Sequence, residues 1–150
     1  DEIIEVPYWI TSGNFVNISD FMSVGGFMNE LVIDYVDFEL GYKFNKNGFK
    51  ICYLKDFSLK HTIGNPIEIH LFGKTYYAMN HSPIRYYYRY RNAYYLYHFV
   101  DRQFFKKEYY KEMIVNTLKM LIYEKNQKVK FSMIRKGIQD AKCKKMGKFN

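Results

Sequence analysis

Residues 31–66, LVIDYVDFELGYKFNKNGFKICYLKDFSLKHTIGNP, constrain the fold more than any other stretch of the chain. From Asp34 the apolar residues recur at helical spacing. Tyr35, Phe38 and Tyr42 fall at i, i+3 and i+7, while Val36, Leu40 and Phe44 repeat every four. Such wide apolar coverage predicts a well-buried helix, with Asp34 as N-cap, Asp37 as the acid of a capping box and Asn47-Gly48 as its stop. Two short apolar runs follow at 49–54 and 57–62, divided by Lys55-Asp56, and Gly64-Asn65-Pro66 breaks the second. A helix running directly into strands predicts a mixed chain, α/β to α+β.

On the amino side, Val6-Pro7-Tyr8-Trp9-Ile10 reads as a strand and Thr11-Ser12-Gly13-Asn14 as the turn after it. A glycine beside small hydroxyls lets backbone approach a ligand closely, and an ordinary turn has the same composition. Ser19 or Asp20 is expected to cap a short helix at 21–24 that stops at Gly25-Gly26. Beyond the centre, 67–77 reads as a strand or an irregular hairpin with Gly73 in its turn. Ser82-Pro83 then opens a helical tail, with helices expected at about 82–101, 106–124 and 129–142. The expected division is 1–81 and a basic, tyrosine-rich helical tail at 82–150.

Charge follows this division closely. Residues 1–83 carry 6 Lys/Arg against 10 Asp/Glu, whereas 84–150 carry 17 against 5, so the formal +8 comes from the second half. A basic half points to an anionic partner: phosphate, nucleic acid or an acidic membrane surface. The two cysteines, Cys52 and Cys143, lack metal-type spacing and suit a reducing compartment. No apolar run approaches the roughly 20 residues that span a bilayer.

Three constellations could carry chemistry. Asp34 and Asp37, with Glu39 beside them, stand at a helix start, where a carboxylate can accept a proton from a hydroxyl or help hold a divalent metal. Capping accounts for at least one of them equally well. His61 ends a strand before a turn; it can ligate a metal or meet a phosphate, or simply satisfy a local hydrogen bond. Finally, Arg85, Arg89 and Asn92 share one helical face, suited to a diphosphate or carboxylate or else to a solvated basic surface. The amphipathic, lysine-rich helices that follow can lie in a bilayer interface or pack on the domain. Interleaved Tyr and Arg would suit single-stranded nucleic acid, but the acidic first half carries no RNA-binding signature, so no nucleic acid is expected.

Taken in order, Thr11-Ser12-Gly13, Gly26-Phe27-Met28-Asn29-Glu30, Ile33 to Leu40, Asn47 to Ile51, His61 to Pro66, His81 to Tyr87 with Arg91-Asn92, and Gly137 to Asp140 with Met146-Gly147-Lys148 resemble the C-terminal half of family 2 glycosyltransferases. The resemblance is to the bacterial rhamnosyltransferase-like branch. It implies the acceptor-side portion of a GT-A fold, with few strands and about three C-terminal helices. It also implies a nucleotide-sugar donor such as dTDP-rhamnose, a lipid-linked saccharide acceptor and a divalent cation, Mg or Mn. Asp37, with Asp34, would be the catalytic acid pair, though Val36 stands where the family has Glu. His61 would contact metal or diphosphate. Thr11, Ser12, Gly13, Glu39, Arg85, Arg91 and Asn92 would line the substrate site.

The family's nucleotide-binding unit and Asp-x-Asp motif have no counterpart here, so the expectation is a fragment that is inactive by itself. The resemblance implies a cytoplasmic protein, peripheral on the inner face of the cell membrane. The alternative is a non-catalytic basic and aromatic module that docks on anionic membrane or nucleic acid.

Overall fold

The computed structural model describes residues 3–56, 58–60, 64 and 66–149. The chain forms two compact units, Asp1–Thr62 and Ile63–Asn150. Its class is mixed α and β, with helices and two small antiparallel sheets.

In the first unit β1 (Ile3–Glu5) pairs antiparallel with β2 (Cys52–Leu54), setting Ile3 opposite Leu54 and Glu5 opposite Cys52. One further ladder bond, Val6 N–H to the Ile51 carbonyl at 2.9 Å, closes the pair. Pro7 has no N–H to continue it. The strand expected at 6–10 is therefore displaced toward the amino end, and Trp9 instead sets its ring edge-on to Phe44, with centroids 5.5 Å apart. The run at 49–54 is strand only over its last three residues. Of the run expected at 57–62, residues 58–60 are not strand, and Phe57, His61 and Thr62 lie outside the described residues.

Helix α1 (Ile18–Ser23) is capped by Asn17, whose side-chain oxygen accepts the N–H groups of Ser19 at 2.9 Å and Asp20 at 3.3 Å. Ser19 and Asp20 thus receive the cap rather than supply it. Helix α2 (Val36–Lys46) buries Leu40 and Phe44 against Ile51, and burying each such side chain contributes about 1.5–3 kcal/mol. Residues 7–8 cross α2 at Gly41, where a Cβ would come within 2.8 Å of the Tyr8 Cβ. Glycine makes that crossing possible. The Tyr8 ring then stacks near Phe38 at 4.2 Å, and Asn45 donates to the Pro7 carbonyl at 2.7 Å.

The second unit opens with a hairpin, β3 (Ile67–Leu71) and β4 (Lys74–Ala78), in which Leu71 faces Lys74 and Ile67 faces Ala78. Its two turn residues, Phe72 and Gly73, both have positive φ, 50° and 71°, which matches the twist of the strands. Gly73 stands in the turn, as expected. Helix α3 (Pro83–Tyr95) has Ser82 at its N-cap position and Pro83 first, and continues as a π-helical turn, Leu96–Val100, to Asp101. Next come α4 (Lys106–Tyr110), a π segment Lys111–Asn116, α5 (Thr117–Tyr123) and α6 (Gln127–Lys142). Tyr86, Tyr90, Met120 and Ile134 form the core of this unit. Helix α6 packs on α3 at Gly137, where any Cβ would collide with the Tyr87 carbonyl oxygen. Among the described residues no helix is long and apolar enough to cross a membrane.

Candidate active site

The head of α2 is reached through an unusual backbone path. A 3₁₀ turn, Asn29–Leu31, ends on fully buried Leu31. Val32 then adopts φ 64°, ψ −60°, and the Ile33 N–H bonds the Leu31 carbonyl at 2.7 Å, which is a γ-turn of the rare, strained hand. Asp34 and Tyr35 follow with φ of 61° and 67°. A β-branched residue in this region costs on the order of 1–3 kcal/mol, so the surroundings must hold it. Leu31 and Tyr35 supply that hold: both are buried, while Val32 and Ile33 between them are exposed.

This path overturns Asp34 as the N-cap. Tyr35 occupies that position and makes no side-chain cap bond, because the left-handed entry places Asp34 one residue outside the helix. Asp34 is half-buried, as is Asp37 in the first turn. The Asp37 carboxylate accepts the Phe38 N–H at 3.1 Å, so it sits at the end of α2 where backbone N–H groups lack helical partners. A partly exposed acid there can take a proton from a bound hydroxyl.

Glu39, two residues on, is buried. Lys43 reaches one of its oxygens at 2.9 Å and also donates to the Gly26 carbonyl at 3.0 Å, tying the Gly25-Gly26 turn to α2. The other oxygen, Oε2, is buried without a hydrogen-bond partner. Burial pushes the Glu39 carboxyl above its ordinary range, outweighing the opposing pull of Lys43 and of the Met28 backbone N–H. Asp37 and Glu39 thus share a helix start but differ sharply in their access to solvent. The Lys43 tether was readable in the sequence as a Glu-to-Lys spacing of four; its second contact, to Gly26, had no sequence signal.

Thr11, Ser12 and Gly13 lie exposed in a turn, with Gly13 at φ 73°. Leu59 stands beside them, 3.2 Å from where a Gly13 Cβ would be. His61 lies outside the described residues. Among the described residues no group of three or more His, Cys, Asp or Glu is placed to hold a metal ion.

The remaining expected substrate contacts belong to the second unit. Arg85 is half-buried in the first turn of α3. Arg91 and Asn92 are fully buried; Arg91 donates to Asn92 at 3.0 Å and to the Gly147 carbonyl. Its guanidinium also lies over the Tyr88 ring, 4.9 Å from the centroid. Arg89 pairs with buried Glu112. Sequence reasoning also missed the hub of this unit, Glu124. It accepts the Asn80 N–H at 2.8 Å, the Tyr86 hydroxyl at 2.7 Å and Lys130 at 2.7 Å. Those partners lie 44, 38 and 6 residues away, so no local pattern announced them.

No family model matches the chain, and no solved structure matches it. Over 87 residues, 58% of its length, the chain is 37% identical to the dTDP-rhamnosyl transferase RfbF of Shigella flexneri. That match spans 28% of the relative's length. The chain is therefore similar, over part of its length, to a glycosyltransferase of the rhamnosyl-transferring kind.

Proposed function

We propose that the chain is the acceptor-side part of an inverting glycosyltransferase with a GT-A type catalytic domain. In this reading rhamnose passes from dTDP-rhamnose to a lipid-linked saccharide. The partial identity to a dTDP-rhamnosyl transferase is the observation that carries the reading. The half-exposed Asp37 at the strained head of α2 is the residue that fits its chemistry best.

Asp37 takes the proton of the acceptor hydroxyl as its oxygen attacks the anomeric carbon. The bond from that carbon to the donor phosphate breaks with inversion, and the nucleoside diphosphate leaves with the electron pair. Asp34, on the outer side of the same helix start, shares the reception of the acceptor. Glu39 acts from beneath through Lys43 and Gly26, and Thr11 to Gly13 offer a backbone edge to the sugar. His61 is assigned to the diphosphate and Arg85 to an anionic group of the substrate. Arg91 and Asn92, fully buried and bonded to each other, with Arg91 also on the Gly147 carbonyl, brace α3 rather than touch a ligand. A divalent cation, Mg or Mn, is implied by the resemblance alone; when bound it would offset the charge of the leaving diphosphate, and the described residues gather no group of three ligands for it. A lipid-linked acceptor would place the protein peripherally on the inner face of the cell membrane.

The test is transfer by the intact natural protein from dTDP-rhamnose to a lipid-linked saccharide extract, with the product's anomeric configuration read by NMR. The expected product has the configuration opposite to that of the donor. Retained configuration, or no transfer from any nucleotide sugar, would overturn the reading.

A further inference from the structure

Residues 106–123 run as one helical rod, α4, the π segment and α5, and its polarity is inverted. Every carboxylate between residues 102 and 128 is buried: Glu108, Glu112 and Glu124 all face inward, together with Met120. The outward row is Tyr110, Ile114, Leu118 and Ile122, with Leu118 53% and Ile122 64% exposed.

The π segment explains how the two rows keep their sides. On a regular α-helix, residues four apart turn by about 40° per step, so a row of four-residue spacings would wind around the rod. The wider turn of Lys111–Asn116 takes up that excess. Glutamates therefore stay inside and aliphatic residues outside along the whole rod.

We infer that this outward row is a docking face for an anionic lipid surface, lying flat in the headgroup region. Lipid is the occupant that the charges select. Lys107 and Lys111 flank one end of the row and Lys125 and Lys128 the other, all exposed, and no carboxylate between residues 102 and 128 is exposed to repel phosphate. Tyr110 and Tyr123, also exposed, stand at the two ends of the aliphatic centre, where amphipathic rings suit headgroup depth. The inference deepens the membrane-surface part of the proposed function, but its test contains no sugar nucleotide and so fails or survives separately.

The experiment is flotation of the intact protein with phosphatidylcholine vesicles, with and without phosphatidylglycerol. Binding is expected to rise about tenfold or more with the anionic lipid. The double variant Leu118→Gln, Ile122→Gln, its fold checked by circular dichroism, should lose about tenfold of that binding, and Leu118→Trp should gain. Undiminished binding by the double variant would overturn the inference, as would a wild-type protein that ignores anionic vesicles. Self-association abolished by the same double variant, without vesicle binding, would assign the face to a second copy of the chain and overturn the lipid reading as well.

Discussion

Glu39 of the first unit and Glu124 of the second are both buried carboxylates, satisfied in opposite ways. In the first, Glu39 has Lys43 and the Met28 backbone to oppose its burial and one oxygen still short of a hydrogen bond, and its helix is entered through the strained γ-turn at Val32. In the second, Glu124 accepts from three donors, and Asp140 accepts from the Tyr87 hydroxyl at 3.0 Å and from Lys136 at 2.9 Å. Glu112 is the exception there, with Arg89 on one oxygen and nothing on the other. A buried carboxylate with a full set of donors fixes the arrangement of helices. One left incomplete beside strain lowers stability locally, and such sites concentrate where chemistry occurs. Burial does not separate Glu39 and Glu112 from Glu124 and Asp140; completeness of hydrogen bonding does, and of the two incomplete acids only Glu39 lies on a helix entered through a strained turn.

The largest expected effect tests the scaffold side of that contrast. Glu124→Ala should destabilise the helical unit by about 3–5 kcal/mol, since it strands buried Lys130 and leaves Tyr86 and the Asn80 N–H unpaired. Denaturant melts followed by near-ultraviolet circular dichroism would measure it. A loss below 1 kcal/mol would mean the hub behaves like a surface ion pair.

Gly137→Ala comes next. The added methyl meets backbone rather than a movable side chain, so α6 must lift from α3 at a cost of about 1–3 kcal/mol. Thermal unfolding with a probe in α6 reads this directly, and an unchanged melting point would refute the close crossing.

A smaller effect of opposite sign is expected at Glu39. Glu39→Gln should leave the first unit as stable at neutral pH as wild type or up to about 1 kcal/mol more stable, because the charged form is the one that burial opposes. A clear destabilisation would show that the Lys43 pair outweighs burial.

The pH dependence of the two units should differ in sign. The Glu39 carboxyl is raised above its ordinary value of 4.5, so its contribution is fully present below that value and is lost as pH rises through the folded-state value. Asp140 moves the other way: burial pushes it up, but the hydrogen bonds from Lys136 and Tyr87 win and lower it from 3.8. Its contribution is present above 3.8 and lost as pH falls through the folded-state value. Asp140→Asn should therefore flatten the acid limb of the helical unit, and Glu39→Gln the limb just above 4.5 in the first unit. Stability–pH curves of both variants decide it; parallel curves for the two would contradict the contrast.

Much of the fold was legible because it is local. The helical period through Val36, Leu40 and Phe44, the Gly25-Gly26 stop, the Gly73 turn and Ser82-Pro83 each act over a few residues, and each appears where expected. Failures came where distant residues decide. Pro7 ended β1 because the ladder it would have joined is built from residues 51–54. Asp34 lost the cap because burial of Leu31 and Tyr35 sets the path between them. Within the candidate site, the acids at the head of α2 could be found by spacing, but the orphan oxygen of Glu39 could not. It depends on what packs around α2, which no spacing rule encodes.

The central claim is that Asp37 at the head of α2 is chemistry and not capping. The direct measurement is rhamnosyl transfer from dTDP-rhamnose by the intact protein carrying Asp37→Asn, with its melting temperature recorded alongside. Asn keeps the acceptor oxygen that meets the Phe38 N–H and removes the negative charge and with it the capacity to take a proton, so stability should fall by no more than about 1 kcal/mol while turnover falls by about 10²–10⁴. Undiminished turnover, or a fall in melting temperature that accounts for the lost activity, would contradict it.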